Sequence, residues 1–162
     1  MKHLIVSLLI IVFISCNSKA QTTNTTKETK KYAVALTKAE WKKKLTPLQF
    51  YVLRESGTER PNTSKFNKFY KKGTYVCAGC DTPLYESKHK YDSGSGWPSF
   101  DRAIKENVAL DVDYKIGYAR TELKCNTCGG HLGHSFNDGP KTTGIRHCIN
   151  GAALKFMRTG KE

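Results

Sequence analysis

A mainly β domain with two short helices at its N-terminal end is what this 162-residue sequence predicts. Three observations carry that expectation. From residue 73 onward the apolar residues fall in short alternating or β-rich runs, separated by glycine, Asp-Gly and Ser-Gly punctuation. Ahead of those runs lie two stretches with helix-start chemistry and spacing. Two C-x-x-C turns interrupt the strand-like sequence, and no repeat of solenoid type is present. The length suits one modest domain with extensions.

Taken in order, the chain opens "MKHLIVSLLIIVFISC". Lys2 gives a positive start, and residues 4–14 are an apolar run broken only by Ser7. That run is too short to cross a bilayer as a mature helix but suits a signal-peptide core. It ends in Ser15 and Cys16, which resembles the lipobox of bacterial lipoproteins, where cleavage precedes a cysteine that is then lipidated. An ordinary cleaved signal and an uncleaved anchor are the alternatives. The expected organisation is a signal peptide over 1–15, a lipidated and disordered tether over 16–36, and one domain over 37–160. The protein is then expected to be exported and held on a membrane through Cys16.

The net charge of +13 invites a nucleic-acid reading, but its distribution argues against one. Residues 17–44 hold eight lysines against two glutamates, whereas residues 45–162 carry 18 basic and 12 acidic side chains. Much of the excess sits in the leader-like segment, where it suits anionic headgroups as well as nucleic acid. No nucleic-acid partner is expected.

"TKAE" has capping-box spacing, Thr37 with Glu40, and Trp41 and Leu45 share a helical face. A second helix is predicted from Thr46, with Pro47 at its first position and Gly57 ending it. Strands are predicted in "GTYVC", "VALDV", "YKIGYARTELKC", "HLGHSF", "RHCIN" and "ALKFM".

"CAGC" sets Cys77 and Cys80 two residues apart, and "CNTCGG" does the same for Cys125 and Cys128. Two such turns supply four soft ligands for tetrahedral zinc, a structural site with no open position. Redox pairs or disulfides are the alternatives, which an exported location permits. Thioredoxin-type pairs sit at a helix start after a strand, whereas both turns here are flanked by strand-like sequence and followed by turn residues Asp81, Gly129 and Gly130.

Cys148, in "GIRHCIN", has no cysteine nearby. On a strand, Arg146, Cys148 and Asn150 share one face, and His147 and Ile149 the other. A guanidinium beside the sulfur favours thiolate. A buried structural cysteine is the plainer reading. His131 and His134 in "HLGHSF" are polar turn residues, a metal pair, or imidazoles that bind and protonate an oxygen near the thiol. Trp97 in "SGSGWPSF" is a core ring or the wall of a small apolar pocket.

The set as a whole resembles a family. "TPLQFYVLRESGTERP", "YVCAGCDTPLY", "YDSGSGWPSF", "RTELKCNTCGGHLGHSFNDGP", "TGIRHCING" and "ALKF" are similar to successive blocks of the methionine-R-sulfoxide reductases of MsrB type, in unbroken order over roughly residues 37–158. The resemblance implies two antiparallel sheets in a tent-like, Mss4-like arrangement, with a structural zinc away from the active site. It implies Cys148 as nucleophile, with Asn150, His131 and His134 as its polar surround. Trp97 would cradle the sulfoxide methyl, Arg146 would stand beside the nucleophile, and Cys77, Cys80, Cys125 and Cys128 would bind zinc. Oxidised proteins or peptides would be the substrates and a thioredoxin-like thiol the reductant.

One position departs from the pattern. Many members carry a resolving cysteine in the block that here reads "SGSGWPSF", where this chain has Ser95. Two other functions compete: a non-catalytic zinc-ribbon binding module on the same scaffold, which leaves "GWPSF", "HLGH" and "RHCIN" unexplained, and a thiol–disulfide oxidoreductase using one C-x-x-C pair.

Overall fold

The computed structural model describes residues 31–158. The expected signal peptide, Cys16 and the tether as far as residue 30 lie outside the described residues. Among the described residues no helix is long and apolar enough to cross a membrane.

Both helices begin as the capping chemistry dictates. In α1 (Lys38–Lys44) the Thr37 hydroxyl accepts from the Glu40 N–H, and the Glu40 carboxylate accepts from the Thr37 N–H at 2.8 Å. In α2 (Pro47–Glu55) Thr46 and Gln49 form the same reciprocal pair, with Pro47 in the first turn. Each cap contributes about 1 kcal/mol. The helix ends sooner than Gly57 predicts, because Ser56 takes the left-handed conformation. The Gly57 N–H then closes on the Tyr51 carbonyl at 3.0 Å, and the Tyr51 ring occupies the space a Cβ at 57 would need.

Contact with the body also starts earlier than residue 37. The Val34 N–H donates to the Thr127 carbonyl at 2.9 Å, Val34 packs against the core, and the Tyr32 ring covers Gly129. These two apolar side chains, inside the stretch assigned to the tether, find a surface to bury against.

The strands form two antiparallel sheets, as expected. In one, β1 (Gly73–Cys77) lies between β2 (Pro83–Glu86) and β9 (Leu154–Arg158). The other runs β3 (Lys90–Tyr91), β4 (Ser99–Phe100), β8 (Arg146–Ile149), β7 (His131–Phe136), β6 (Arg120–Cys125), β5 (Val108–Asp113). β2, β3 and β4 were not legible: the latter two are too short to show alternation, and β2 opens on a proline. The run expected over 114–125 is a strand only from Arg120. Before it the chain turns, with Gly117 at φ +90° and its N–H on the Tyr114 carbonyl.

The core joins the sheets through Tyr75, Tyr85 and Phe100, with the Tyr85 and Phe100 rings stacked at 4.3 Å. Leu53, Leu84, Leu123, Leu132 and Ile149 fill in around them. Each such side chain contributes about 1.5–3 kcal/mol on burial. The helices cover the cysteine end of the sheets. Trp41 lies against Gly79 between Cys77 and Cys80, while Arg54 stacks on the Trp41 ring and donates to the Cys128 carbonyl at 2.9 Å.

Candidate active site and metal centre

β1 of the three-stranded sheet ends at Cys77, and β6 of the six-stranded sheet ends at Cys125. Each strand then makes a tight turn whose last residue is left-handed, Asp81 at φ 60° and Gly129 at φ 70°. The turns close through the Asp81 N–H on the Cys77 carbonyl and the Gly129 N–H on the Cys125 carbonyl. The four sulfurs thereby converge within 4.8 Å of one another, Cys77 to Cys128 at 3.8 Å and Cys80 to Cys125 at 3.5 Å. A disulfide requires about 2 Å, so all four are free thiols. Tetrahedral thiolates at 2.3 Å from a common ion stand about 3.8 Å apart, close to the separations of these two pairs. The cluster fits a metal ion, and an ion there would tie the two sheets together.

Cys148 lies in the middle of the six-stranded sheet. Across the ladder it faces Ser99 of β4 on one side and His134 of β7 on the other. His134 in turn faces Glu122 of β6, and Glu122 faces Asp111 of β5. Directly paired residues share a face, so one polar face runs Ser99, Cys148, His134, Glu122, Asp111. The opposite face belongs to the core: His147 reaches the Tyr85 hydroxyl through Nδ1 at 3.2 Å, and Ile149 is fully buried. The division of β8 into two faces is the one its sequence predicts. Gly133 is required beside it, because a Cβ there would strike the Cys148 carbonyl.

His131 and His134 are three apart, which would set them on opposite faces of a regular strand. They share a face because β7 is bulged: Leu123 pairs with Gly133 but Lys124 pairs with His131, leaving Leu132 as the extra residue. The two rings lie 5.2 Å apart. Each is oriented by a carboxylate, His131 Nδ1 by Glu122 at 2.6 Å and His134 Nε2 by Asp113 at 2.8 Å.

A cleft of about 150 Å³ opens on this face, lined by Thr58, Trp97, Arg120, Gly133, His134, Phe136, Cys148 and Asn150. Of the residues singled out from sequence, Cys148, His134, Asn150 and Trp97 therefore meet in one place. His131 is buried behind them and does not line the cleft, and its Nε2 has no partner among the described residues. Arg146 also stands outside it. Its guanidinium makes a bidentate pair with Asp138 at 2.8 and 2.9 Å and stacks on Phe136. The Asn150 amide is already engaged, accepting from the Glu59 N–H at 3.0 Å and donating to the Leu132 carbonyl at 3.1 Å.

The thiol differs from its expectation. Burial pushes the Cys148 thiol up from its usual range, and the nearby Arg146 charge and Ser95 hydroxyl only partly offset this. A guanidinium on the same strand face does pull the thiol down, but burial outweighs it. His134 is held low by burial, against the pull of Asp113, so at neutral pH the imidazole is neutral. Asp113 lies well below the usual carboxylate range, held there by the Lys115 N–H and then by His134 and Arg120.

Glu59 was missed from sequence. Its buried carboxylate accepts from the Gly151 N–H and, at 2.9 Å, from the Ala152 N–H. Its own N–H holds Asn150, and its carbonyl accepts from Trp97 Nε1 at 3.1 Å. One residue thus fastens both walls of the cleft. Asp113 and Arg120 were missed as well; an acid and a base flanking the turn of one hairpin were the available signal.

A SelR domain model matches residues 45–158. The chain is 52% identical over 128 residues to the peptide methionine sulfoxide reductase MsrB of Leptospira interrogans, covering 78% of this chain and 98% of that protein. It is 47% identical over 134 residues to the mitochondrial methionine-R-sulfoxide reductase B2 of Rattus norvegicus, covering 78% of this chain and 77% of that one. Among solved structures, the Mis18 "Yippee-like" domain aligns with 56% of this chain and 100% of its own at TM-score 0.46 and 15% identity. With its cysteine cluster and its Cys148 cleft in place, this chain belongs to the SelR-domain family, the peptide methionine sulfoxide reductases of MsrB type.

Proposed function

We propose that the cleft reduces methionine-R-sulfoxide in peptides and proteins, with Cys148 as the group that takes the oxygen. The observation that carries this is Cys148 on the floor of a small cleft, with the Trp97 ring and the His134 imidazole both lining it. A sulfoxide presents an apolar methyl and a basic oxygen on one electrophilic sulfur. Trp97 suits the methyl and His134 the oxygen, so the two walls would select one epimer.

The Cys148 sulfur attacks the substrate sulfur while the sulfoxide oxygen is protonated through His134. The S–O bond to methionine breaks, methionine leaves, and Cys148 holds the oxygen as sulfenic acid. The proton released by the thiol balances the one taken up by oxygen. Neutral His134, fixed by Asp113, is suited to pass a proton in this way. His131 supports that ring from behind, and Asn150, through Glu59, positions the strand end that follows Cys148. Arg146 tunes the thiol from outside the cleft.

A zinc ion is the metal that four clustered thiolates fit best, and bound there it would supply folding energy and no chemistry. A thioredoxin-like thiol would restore Cys148. The apolar run over 4–14 followed by Ser15 and Cys16 supports an exported protein anchored to a membrane by lipid on Cys16; replacing Cys16 by Ala and finding it still lipidated would refute that. For the activity itself, turnover of a peptide bearing the R-sulfoxide is measured against its S epimer. Equal rates on both would overturn the two-wall reading.

A further inference from the structure

The cleft is not the only opening near Cys148. A second groove, of about 400 Å³, is lined by Tyr91, Ser95, Asp138, Pro140 and Arg146 among others, and shares no lining residue with the cleft. The Ser95 hydroxyl on the groove's wall is 4.0 Å from the Cys148 sulfur, so the groove reaches close to the thiol. Two features mark the groove as built for a ligand. The Tyr91 hydroxyl on its wall is buried without a partner among the described residues. Gly94 and Gly139 give it walls of bare main chain, and a Cβ at Gly94 would meet nothing within 4 Å.

We propose that this groove receives the cysteine-bearing loop of a protein dithiol reductant, which reaches Cys148 from the Ser95 side. The inference rests on Cys148 being the sulfur that is oxidised. The sulfenic oxygen lies toward the cleft, where the sulfoxide oxygen was. A thiol displaces it most readily from the opposite side: the new S–S bond forms, the S–O bond breaks, and the oxygen leaves as water with the thiol's proton. The reductant's second thiol then attacks its own first sulfur, freeing Cys148 and leaving the reductant as a disulfide. Ser95 offers only a hydroxyl and the four other described cysteines converge in the metal cluster, so none of these supplies the displacing thiol. The groove favours a polypeptide over a small acidic thiol. Arg146 already has its carboxylate partner in Asp138, whereas the Tyr91 hydroxyl and the glycine walls suit a main chain.

The test fills the groove in the full-length protein with Pro140→Trp and, separately, Gly94→Asn, a residue that tolerates the positive φ of 71° at that position. Thioredoxin serves as the protein dithiol and dithiothreitol as the small one. The KM for thioredoxin should rise about tenfold, while the methionine burst without reductant, the KM for the sulfoxide peptide and turnover on dithiothreitol stay within about twofold. Tyr91→Phe should raise the thioredoxin KM about threefold on the same pattern. An unchanged thioredoxin KM in both groove variants, or dithiothreitol turnover falling in parallel, overturns the proposal. A native protein with no burst at all overturns the reading of Cys148 instead. If the tryptophan variant fails to fold, the asparagine variant decides.

Discussion

The metal cluster and the Cys148 cleft put the same functional group to opposite uses. At the cluster, four thiols converge within 4.8 Å of one another in a largely buried setting where each sulfur stands beside other sulfurs. At the cleft, one thiol stands 4.0 Å from a hydroxyl and opposite an imidazole, with open space above it. A thiolate among thiolates is stable only with a cation, so it is spent on structure. A solitary thiol among polar groups keeps its lone pairs for a substrate. The neighbours, not the residue type, decide.

The sharpest way to break this comparison is to remove one member from each side. Cys148→Ser should cut reduction of the R epimer by about a thousandfold or more, since a hydroxyl is a poor nucleophile at neutral pH, and leave thermal unfolding unchanged. Cys77→Ser or Cys125→Ser should do the reverse, costing about 3 kcal/mol or more of stability together with the single zinc expected per chain. Metal analysis and calorimetry check this; a normally folded, metal-free domain with two disulfides would refute it. Making the solitary thiol a paired one is a subtler change. In Ser95→Cys, one equivalent of substrate should leave a 95–148 disulfide where the native protein leaves a sulfenic acid, read by intact mass and a sulfenic-acid probe.

Smaller effects are expected from residues that act through others. Glu59→Gln replaces one acceptor with a donor that faces backbone N–H groups, so turnover should fall about tenfold as Trp97 and Asn150 loosen, with a stability loss of about 1–3 kcal/mol. Equal losses of activity and folded fraction would reduce it to a structural role. Arg146→Ala should have the least effect. Because Cys148 is held above the ordinary thiol range and Arg146 opposes that, the burst rate should climb with pH without levelling off in the neutral range. Removing the guanidinium should move the profile further to alkaline pH. A shift toward acid would invert the electrostatics assigned here.

Much of the site could be read from local sequence because its parts sit on strands. Alternation in "RHCIN" assigned the faces of Cys148 and His147 correctly, and the two C-x-x-C turns announced four ligands. What escaped depends on contacts between distant segments. Glu59 lies in a loop, and nothing around it signals that its main chain reaches Trp97, 38 residues away, and Asn150, 91 residues away. The thiol's raised pKa was misjudged because its main cause is burial, which arises from packing by other segments and not from the Arg146 charge two residues away. The shared face of His131 and His134 required a bulge, which neighbouring sequence does not reveal.

The ladder that pairs Cys148 with His134 has a consequence for how such an enzyme can diversify. Directly opposed strand residues hold their Cβ atoms about 4.5–5.5 Å apart by backbone hydrogen bonding alone, so the distance between nucleophile and proton carrier is set by the sheet and is insensitive to loop sequence. Trp97 is different: it stands on the glycine-rich segment between β3 and β4 and is held through its indole N–H on the Glu59 carbonyl. Chemistry and selectivity are therefore carried by separable parts. Substitutions at Trp97, the one residue of that segment that lines the cleft, can change which sulfoxides are admitted while the reacting pair stays in register, so a library at that position should yield altered specificity with the first chemical step retained.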